Sequence, residues 1–270
     1  MKNIITTLFL ISTFILYAQK KEFTYDLQGI TKVIIDTDSK LKVTTNSSNQ
    51  LILSHKMNDD DHCGDCYHDQ DDDHDESFKE KTKGLTAIYP GGKDDTDGFG
   101  LSLKKEGTTL TIIDLKSHVQ RNSLAMSLPK HINIVFNHTN LGSLDLTGFT
   151  SEIEASTNVG KINIKDVTGP ITVHSNVGNI NVDFSNVNQT SPITISTNVS
   201  EVDVSLPKTT KANLDLSTRG TIYTNFDIKT PEKNGLKAIR GDQKIQSPIN
   251  NGGVKIKLKS NLGNIYLRKK

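Results

Sequence analysis

Residues 176–182 read NVGNINV, and this stretch decides the fold because close copies of it recur along the chain. An Asn-apolar-Gly or Asn-apolar-Ser triplet begins at Asn140, Asn158, Asn176, Asn198 and Asn261. Thr218-Arg219-Gly220 is a degenerate further copy. The third residues of the triplets, from Gly142 through Gly160, Gly178 and Ser200 to Gly220, are 18, 18, 22 and 20 residues apart. Self-similarity at this spacing is typical of one turn of a solenoid.

Apolar and polar residues alternate within each repeat, which is the period of a half-buried strand. One short strand follows each triplet, and most repeats contain a second one. Stacked in register, the apolar residues would form two inward columns: Ile162, Ile180, Val202, Ile222 and Ile265, and Ile171, Ile193 and Leu214. No repeat can bury its apolar side without its neighbours. The pattern predicts an all-β, single-domain β-solenoid with two short strands per turn of about 18–22 residues and one long acidic loop insertion.

The corners between strands also have a local rationale. Asn and Gly both tolerate positive φ, so they would allow a sharp turn, and stacked Asn side chains could bond neighbouring backbones. Leu128-Pro129-Lys130 and Leu206-Pro207-Lys208 predict repeated corners at which proline starts a strand. Residues 33–53 show the same alternation and are expected to form the first turns. Short, evenly spaced strands also suit a β-sandwich, which is the alternative fold.

Together, the NVGNINV-like corners, the Leu-Pro-Lys corners and the N-terminal leader resemble a known group of proteins. These are the bacterial envelope proteins described as putative adhesins, which are related to the head GIN domain group. The resemblance covers roughly residues 30–267, and its motifs are repeats of common residues. It implies a β-solenoid in the cell envelope and supplies no catalytic or binding residues.

The chain begins with features of a secretory signal peptide. Lys2 precedes an apolar run over residues 4–17, and Ala18 follows before the sequence turns polar. The run is shorter than the ~20 residues that a membrane-spanning helix needs. We therefore expect residues 1–18 to be a signal peptide, residues 19–270 to form the solenoid domain, and residues 57–100 to be a loop insertion. The mature chain would have no transmembrane segment and would be periplasmic, on the cell surface or secreted.

The charge is unevenly distributed. The formal net charge is +1, but residues 59–76, DDDHCGDCYHDQDDDHDE, contain ten Asp or Glu and no Lys or Arg. The remainder of the chain therefore carries about +11. This basicity is diffuse, and together with export it argues against nucleic acid as a partner. The expected partner is an envelope or extracellular macromolecule.

The acidic part of the insertion, residues 58–77, contains both cysteines of the chain, Cys63 and Cys66. An exported protein meets an oxidising environment, and Gly64 relieves the turn between the two, so a disulfide is one hypothesis. A catalytic disulfide would be expected at a helix N-terminus in a βαβ unit, and the sequence shows neither.

Metal binding is a second hypothesis for this loop. Two sulfurs and several imidazoles suit zinc or copper, whereas the carboxylates from Asp69 to Glu80 approach the calcium-loop spacing of an EF-hand, with His74 where glycine is needed. The candidate ligands are His62, Cys63, Cys66, His68, Asp69, Asp71, Asp73 and His74. A solvated, self-repelling loop without a ligand is the third interpretation.

Catalytic signals are weak elsewhere. Asp183 and Asp203 come nearest to a carboxylate pair, but they are expected in different rows of adjacent turns, and His174 is expected to be exposed. No Ser/His/Asp order or phosphate-binding loop is visible. The sequence predicts a non-enzymatic envelope protein that serves as an adhesin or interaction scaffold. The alternative is a periplasmic protein that binds a divalent metal, zinc, copper or calcium, through the acidic loop.

Overall fold

The structure is a computed structural model that describes residues 22–55, 80–116, 123–228 and 243–270. These residues form two ten-stranded sheets. In spatial order, the first sheet contains β1 (Glu22–Asp26), β4 (Gln50–His55), β7 (Ser123–Pro129), β3 (Lys40–Asn46), β9 (Leu144–Thr147), β11 (Ile162–Val167), β13 (Ile180–Phe184), β15 (Val202–Leu206), β20 (Ile265–Lys269) and β17 (Ile222–Thr224). The second contains β18 (Gln243–Ile249), β16 (Ala212–Thr218), β19 (Val254–Ser260), β14 (Ile193–Val199), β12 (Ile171–Val177), β10 (Ile153–Val159), β8 (Asn133–Leu141), β2 (Lys32–Asp36), β6 (Thr109–Asp114) and β5 (Leu101–Glu106).

The chain alternates between the two sheets in its central part. From β8 to β15 each strand lies in the sheet opposite to the one before it, and neighbours within a sheet pair in parallel. Antiparallel pairs occur towards the sheet ends, where β1 pairs with β4, β5 with β6, and β16 with β18. Both sheets are therefore mixed, and over the described residues neither one closes on itself. The all-β prediction is confirmed.

Alternation along each strand separates the core from the surface. In β13, Ile180, Val182 and Phe184 are buried, and in β12, Ile171 and Val173 are buried. The inward side chains of both sheets form one hydrophobic cluster. Each large aliphatic residue removed from water in this way contributes about 1.5–3 kcal/mol. The polar residues between them point outward and remain available for contacts.

The corner glycines are required by close approach between turns. A β-carbon on Gly160, Gly178 or Gly263 would lie within 2 Å of a carbonyl oxygen in the preceding spatial turn. The residue three positions before the glycine is a buried Ser or Thr, and several of these hydroxyls donate to that same row of carbonyls. Ser260 Oγ donates to the Ser200 carbonyl at 2.7 Å, and Ser175 Oγ donates to the Gly160 carbonyl at 3.5 Å. The corners are thus packed backbone against backbone.

The predicted role of the corner asparagines is confirmed only in part. None of the triplet asparagines with described side chains has positive φ, and their side chains bond one another. The asparagine after the corner glycine does bond a neighbouring backbone, since Asn179 Oδ1 accepts from the backbone N–H of Glu201 at 3.3 Å. Asn176 Nδ2 donates to Asn158 Oδ1 at 3.0 Å, Asn198 donates to Asn176 at 2.8 Å, and Asn261 donates to Asn198 at 2.8 Å. In-register stacking of identical residues produces this ladder, because each amide can donate to one neighbour and accept from the other.

The turns do not stack in chain order at either end of the sheets. The last turn, β19–β20, lies between β14–β15 and β16–β17, because β19 pairs with both β14 and β16 and β20 pairs with both β15 and β17. Likewise, β2–β3 lies between β6–β7 and β8–β9. Residues 33–53 do contribute the first strands of the chain after β1, but β2–β3 is not the outermost turn of the sheets.

This order corrects the inward columns as well. Ile265 stands between Val202 and Ile222, and Ile256 stands between Ile193 and Leu214. All of these residues are aliphatic, so any of them fits any position in the column. The alternation of apolar and polar residues therefore does not determine their order in space. The turn nearest the C-terminus gains a neighbour on each side by this insertion.

Two smaller expectations also change. Pro129 ends β7, and Pro207 follows β15, so both prolines close strands rather than start them. Towards the end of the predicted insertion, residues 94–100 form a turn held by Asp94, whose carboxylate accepts from the backbone N–H groups of Thr96, Gly98 and Gly100. Phe99 is buried there. Within the described ranges, no helix is long and apolar enough to cross a membrane.

Candidate functional site

The residues of the acidic loop lie outside the described part of the chain. This applies to the predicted disulfide, Cys63–Cys66, and to the whole set of candidate metal ligands, His62, Cys63, Cys66, His68, Asp69, Asp71, Asp73 and His74. Among the residues that are described, no group of three or more His, Cys, Asp or Glu side chains is placed to hold a metal ion. The disulfide and metal hypotheses therefore remain predictions from the sequence.

The outward residues singled out from the sequence are placed by the structure as follows. Asp203 accepts two hydrogen bonds from Arg268, each at 2.7 Å, and Asp183 forms an ion pair with Lys270. His174 is exposed, and its Nδ1 lies 3.0 Å from Ser196 Oγ. Both carboxylates are thus engaged by cations from the C-terminal strand and its end, which sequence reasoning did not foresee.

Asp203 belongs to a row of outward side chains that crosses the first sheet and ends in an aromatic pair. Asp145, Asn163, Asn181, Asp203, Tyr266 and Tyr223 occupy matching positions on successive strands of the first sheet. Asn181 Nδ2 donates to Asn163 Oδ1 at 2.8 Å, and Asn163 Nδ2 donates to Asp145 Oδ1 at 2.7 Å. Hydrogen bonds therefore join the first three residues of this row, and two tyrosines occupy its other end.

The tyrosine–arginine cluster, comprising Tyr223, Tyr266, Arg268, Glu201 and Asn264, lies at this end of the first sheet. The two tyrosine rings are stacked, with centroids 5.2 Å apart and planes 9° from parallel. The Arg268 guanidinium carbon lies 5.5 Å from the Tyr266 ring centroid, within cation–π range. Tyr223 is 51% exposed because β17 is the edge strand.

Hydrogen bonds fix the polar groups of this cluster. Glu201 Oε1 accepts from Tyr266 Oη at 3.1 Å and from Asn264 Nδ2 at 3.2 Å. The hydrogen bonds with Asp203, assisted by its negative charge, raise the pKa of Arg268, which stays a cation. The cluster thus presents a half-exposed tyrosine ring, a cation and a hydrogen-bonded carboxylate on one face.

Sequence reasoning missed this cluster, although a signal was present. Tyr223 and Tyr266 are far apart in the chain and meet only because β20 is inserted beside β17. Each follows a corner isoleucine, in Ile222-Tyr223 and Ile265-Tyr266, so the two occupy the same position within their repeats. Equal position in a stacked repeat places side chains next to each other when the turns are neighbours.

A row of exposed aliphatic side chains runs along the corners. The apolar residue of each Asn-apolar-Gly triplet points outward, and we name the partly exposed set Leu141, Val177, Val199 and Leu262 the aliphatic ridge. Val177 and Val199 are register partners on adjacent strands. Aligned exposed apolar residues are more informative than scattered ones, because contiguous patches mark interaction surfaces.

Comparison with solved structures finds two similar chains. A crystal structure of a putative cell adhesion protein from Clostridium sporogenes is 14% identical, with a TM-score of 0.47, over 93% of this chain and 100% of that chain. A crystal structure of a putative adhesin from Bacteroides fragilis is 13% identical, with a TM-score of 0.41, over 93% of this chain and 96% of that chain. No family model matches the sequence, and no curated protein matches it.

Proposed function

We propose that this chain is a non-enzymatic envelope protein that binds an extracellular macromolecule, in the manner of an adhesin, through the tyrosine–arginine cluster. Its framework is a β-solenoid, which the parallel pairing of strands from β8 to β15 supports. The leader-like residues 1–18 support export. The proposal places the binding function on a rigid face that the core does not need for its own packing.

The exposed tyrosine and arginine carry this proposal. Tyr and Arg are enriched among the residues that contribute most to binding at protein interfaces. The stacking of Tyr223 on Tyr266 and the paired hydrogen bonds of Arg268 hold these side chains in place before a partner arrives. A preorganised side chain loses less conformational entropy on binding, so more of the contact energy appears as affinity.

The absence of catalysis is part of the same proposal. Asp183 and Asp203, the carboxylates that the sequence suggested as a pair, are each bonded to a basic side chain. A general base needs a carboxylate that can reach a substrate proton. Carboxylates bonded to Lys270 and Arg268 serve instead to hold the C-terminal strand and its cation in position.

Retention of protein-coated beads under flow on arrays of extracellular glycans and matrix proteins would test the proposal. Beads carrying residues 19–270 should be retained on at least one component, and Tyr223→Ala should lower retention about tenfold or more. Tyr223→Phe, which keeps the ring, and Ile88→Ala, which removes a 90% exposed apolar side chain elsewhere, should behave as the parent chain. Equal retention of Tyr223→Ala and the parent chain would contradict the role of the cluster.

A further inference from the structure

The outward positions of β19 are all lysine. Val254, Ile256 and Leu258 point into the core, so Lys255, Lys257 and Lys259 project together from the second sheet. Every second residue of a strand recurs at about 6.6 Å, which sets the spacing of the three stems. Lys244 on β18 joins them, because it is paired with Ser217, which is paired in turn with Lys259. These four residues are the lysine row.

Little negative charge opposes the lysine row. Along the outward positions of β16, β18 and β19 the one carboxylate is Asp215, which lies 3.8 Å from Lys255. Four lysines and one aspartate leave a net charge of +3 on this face. Lys257 and Lys259 have no carboxylate within ion-pair distance in the described part of the chain. The register partners of Lys257 are Asp215 on β16 and Thr194 on β14, and those of Lys259 are Ser217 and Ser196.

Protection of the sheet edge does not account for these lysines. Charged residues on edge strands do prevent pairing with other chains. However, β19 lies two strands inside the edge, behind β16 and β18. A single lysine such as Lys244 on β18 is placed for that role, whereas the three on β19 are not.

Hydrogen-bonding groups surround the lysine row. A shallow depression of about 360 Å³ beside Lys255 is lined by Asn213, Asp215, Gln246 and Pro248. The hydroxyls of Thr194, Ser196 and Ser217 lie on the strands that flank β19. No aromatic residue occurs in β16, β18 or β19, so this face has no ring on which a nucleic-acid base could stack.

We propose that the lysine row binds an acidic polysaccharide whose charges are carboxylates separated by hydroxyl-bearing sugar carbons. The ammonium groups are flexible point charges that accept variable spacing along an extended polymer. The hydroxyl and amide side chains between them match the uncharged hydroxyls of the sugars. This site is on the opposite sheet from the tyrosine–arginine cluster, and it does not depend on the function proposed for that cluster.

Titration of residues 19–270 with polygalacturonate, followed by calorimetry at 50 and 200 mM NaCl, tests this proposal. Binding should weaken about tenfold or more between the two salt concentrations, because counterions are released and screening increases. The variant Lys255→Gln/Lys257→Gln/Lys259→Gln should lose at least tenfold in affinity at 50 mM NaCl. The control Lys40→Gln/Lys130→Gln/Lys161→Gln removes the same charge elsewhere and should retain the parent affinity.

Three results would overturn the proposal. Equal affinity of the two triple variants would show that only net charge matters. Absence of binding by the parent chain at 50 mM NaCl would show that the lysine row does not bind this polysaccharide. Tighter binding of a DNA duplex or of heparin than of polygalacturonate would assign the face to phosphate or sulfate groups. Unfolding temperatures of both variants within about 2 °C of the parent would confirm that the fold is intact, since surface substitutions change stability little.

Discussion

Replacement of Gly263 by alanine tests whether close approach between turns determines the corner. Gly263 lies between β19 and β20, and its backbone does not have the positive φ that alone would demand glycine. A β-carbon at this position would lie 1.9 Å from the Ser200 carbonyl oxygen, whereas real β-carbon contacts are essentially never under 3.0 Å. The two corners would therefore have to separate by about 1.1 Å.

The cost follows from what that separation breaks. Several hydrogen bonds cross this corner, among them Ser260 Oγ to the Ser200 carbonyl at 2.7 Å, Asn261 Nδ2 to Asn198 Oδ1 at 2.8 Å, and Val202 N to the Asn264 carbonyl at 3.1 Å. Each contributes about 0.5–1.5 kcal/mol, and overpacking itself costs about 1–3 kcal/mol. We expect Gly263→Ala to lower the free energy of unfolding by about 3 kcal/mol or more, and Tm by about 6–12 °C.

Urea unfolding followed by circular dichroism measures this loss. Gly107→Ala is the matched control, because Gly107 has a φ of +58° and a methyl group added to it would meet no atom within 4 Å. It should cost only the left-handed backbone strain, about 1–2 kcal/mol. If Gly263→Ala costs no more than Gly107→Ala, the argument from close approach between turns is refuted.

Three further predictions concern strand order, acid stability and metal. With Cys63 and Cys66 replaced by serine, Thr194→Cys/Lys257→Cys should form a disulfide, because these residues are register partners, whereas Thr194→Cys/Asp215→Cys should not. Burial opposes ionisation of Asp94, but hydrogen bonds from the Thr96 hydroxyl and from backbone N–H groups outweigh it and lower the pKa of this carboxyl, so the stability it contributes is present above pH 3.8 and is lost as the pH falls below it. Urea unfolding should show Asp94→Asn about 1–2 kcal/mol less stable than the parent at pH 7, with the difference shrinking as the pH falls below 3.8. If the acidic loop binds metal, calorimetry with Zn²⁺, Cu²⁺ and Ca²⁺ should detect binding that deletion of residues 58–77 abolishes.

Each of these predictions has a contrary outcome. Rapid disulfide formation by the Thr194–Asp215 pair instead would place β16 beside β14 and contradict the insertion of β19. If Asp94→Asn and the parent chain lose stability equally on acidification, protonation of Asp94 is not the cause of that loss. Heats of metal binding that persist after the deletion would assign the ion to another part of the chain, and their absence in both proteins would eliminate the metal hypothesis.

Much of the local structure could be predicted from residues such as those of NVGNINV. The alternation places Ile180 and Val182 inward, and both are buried. The corner glycines were identified correctly, and Gly160 and Gly178 do have positive φ, but the second reason for them, the close approach of a neighbouring turn, is not visible in one turn. The buried hydroxyls three positions before them, such as Thr157 and Ser175, were a regular signal in the sequence that the alternation argument did not use.

The amino-acid sequence by itself determined the period of two along each strand, the spacing of the turns and the all-β class, because these depend on residues close together in the chain. Only the tertiary structure decided which turns are neighbours. Every turn offers the same Ile, Val and Leu column and the same backbone edge, so the inserted and sequential orders look alike locally. The stacking of Tyr223 on Tyr266 and the position of the lysine row behind the sheet edge both follow from that choice.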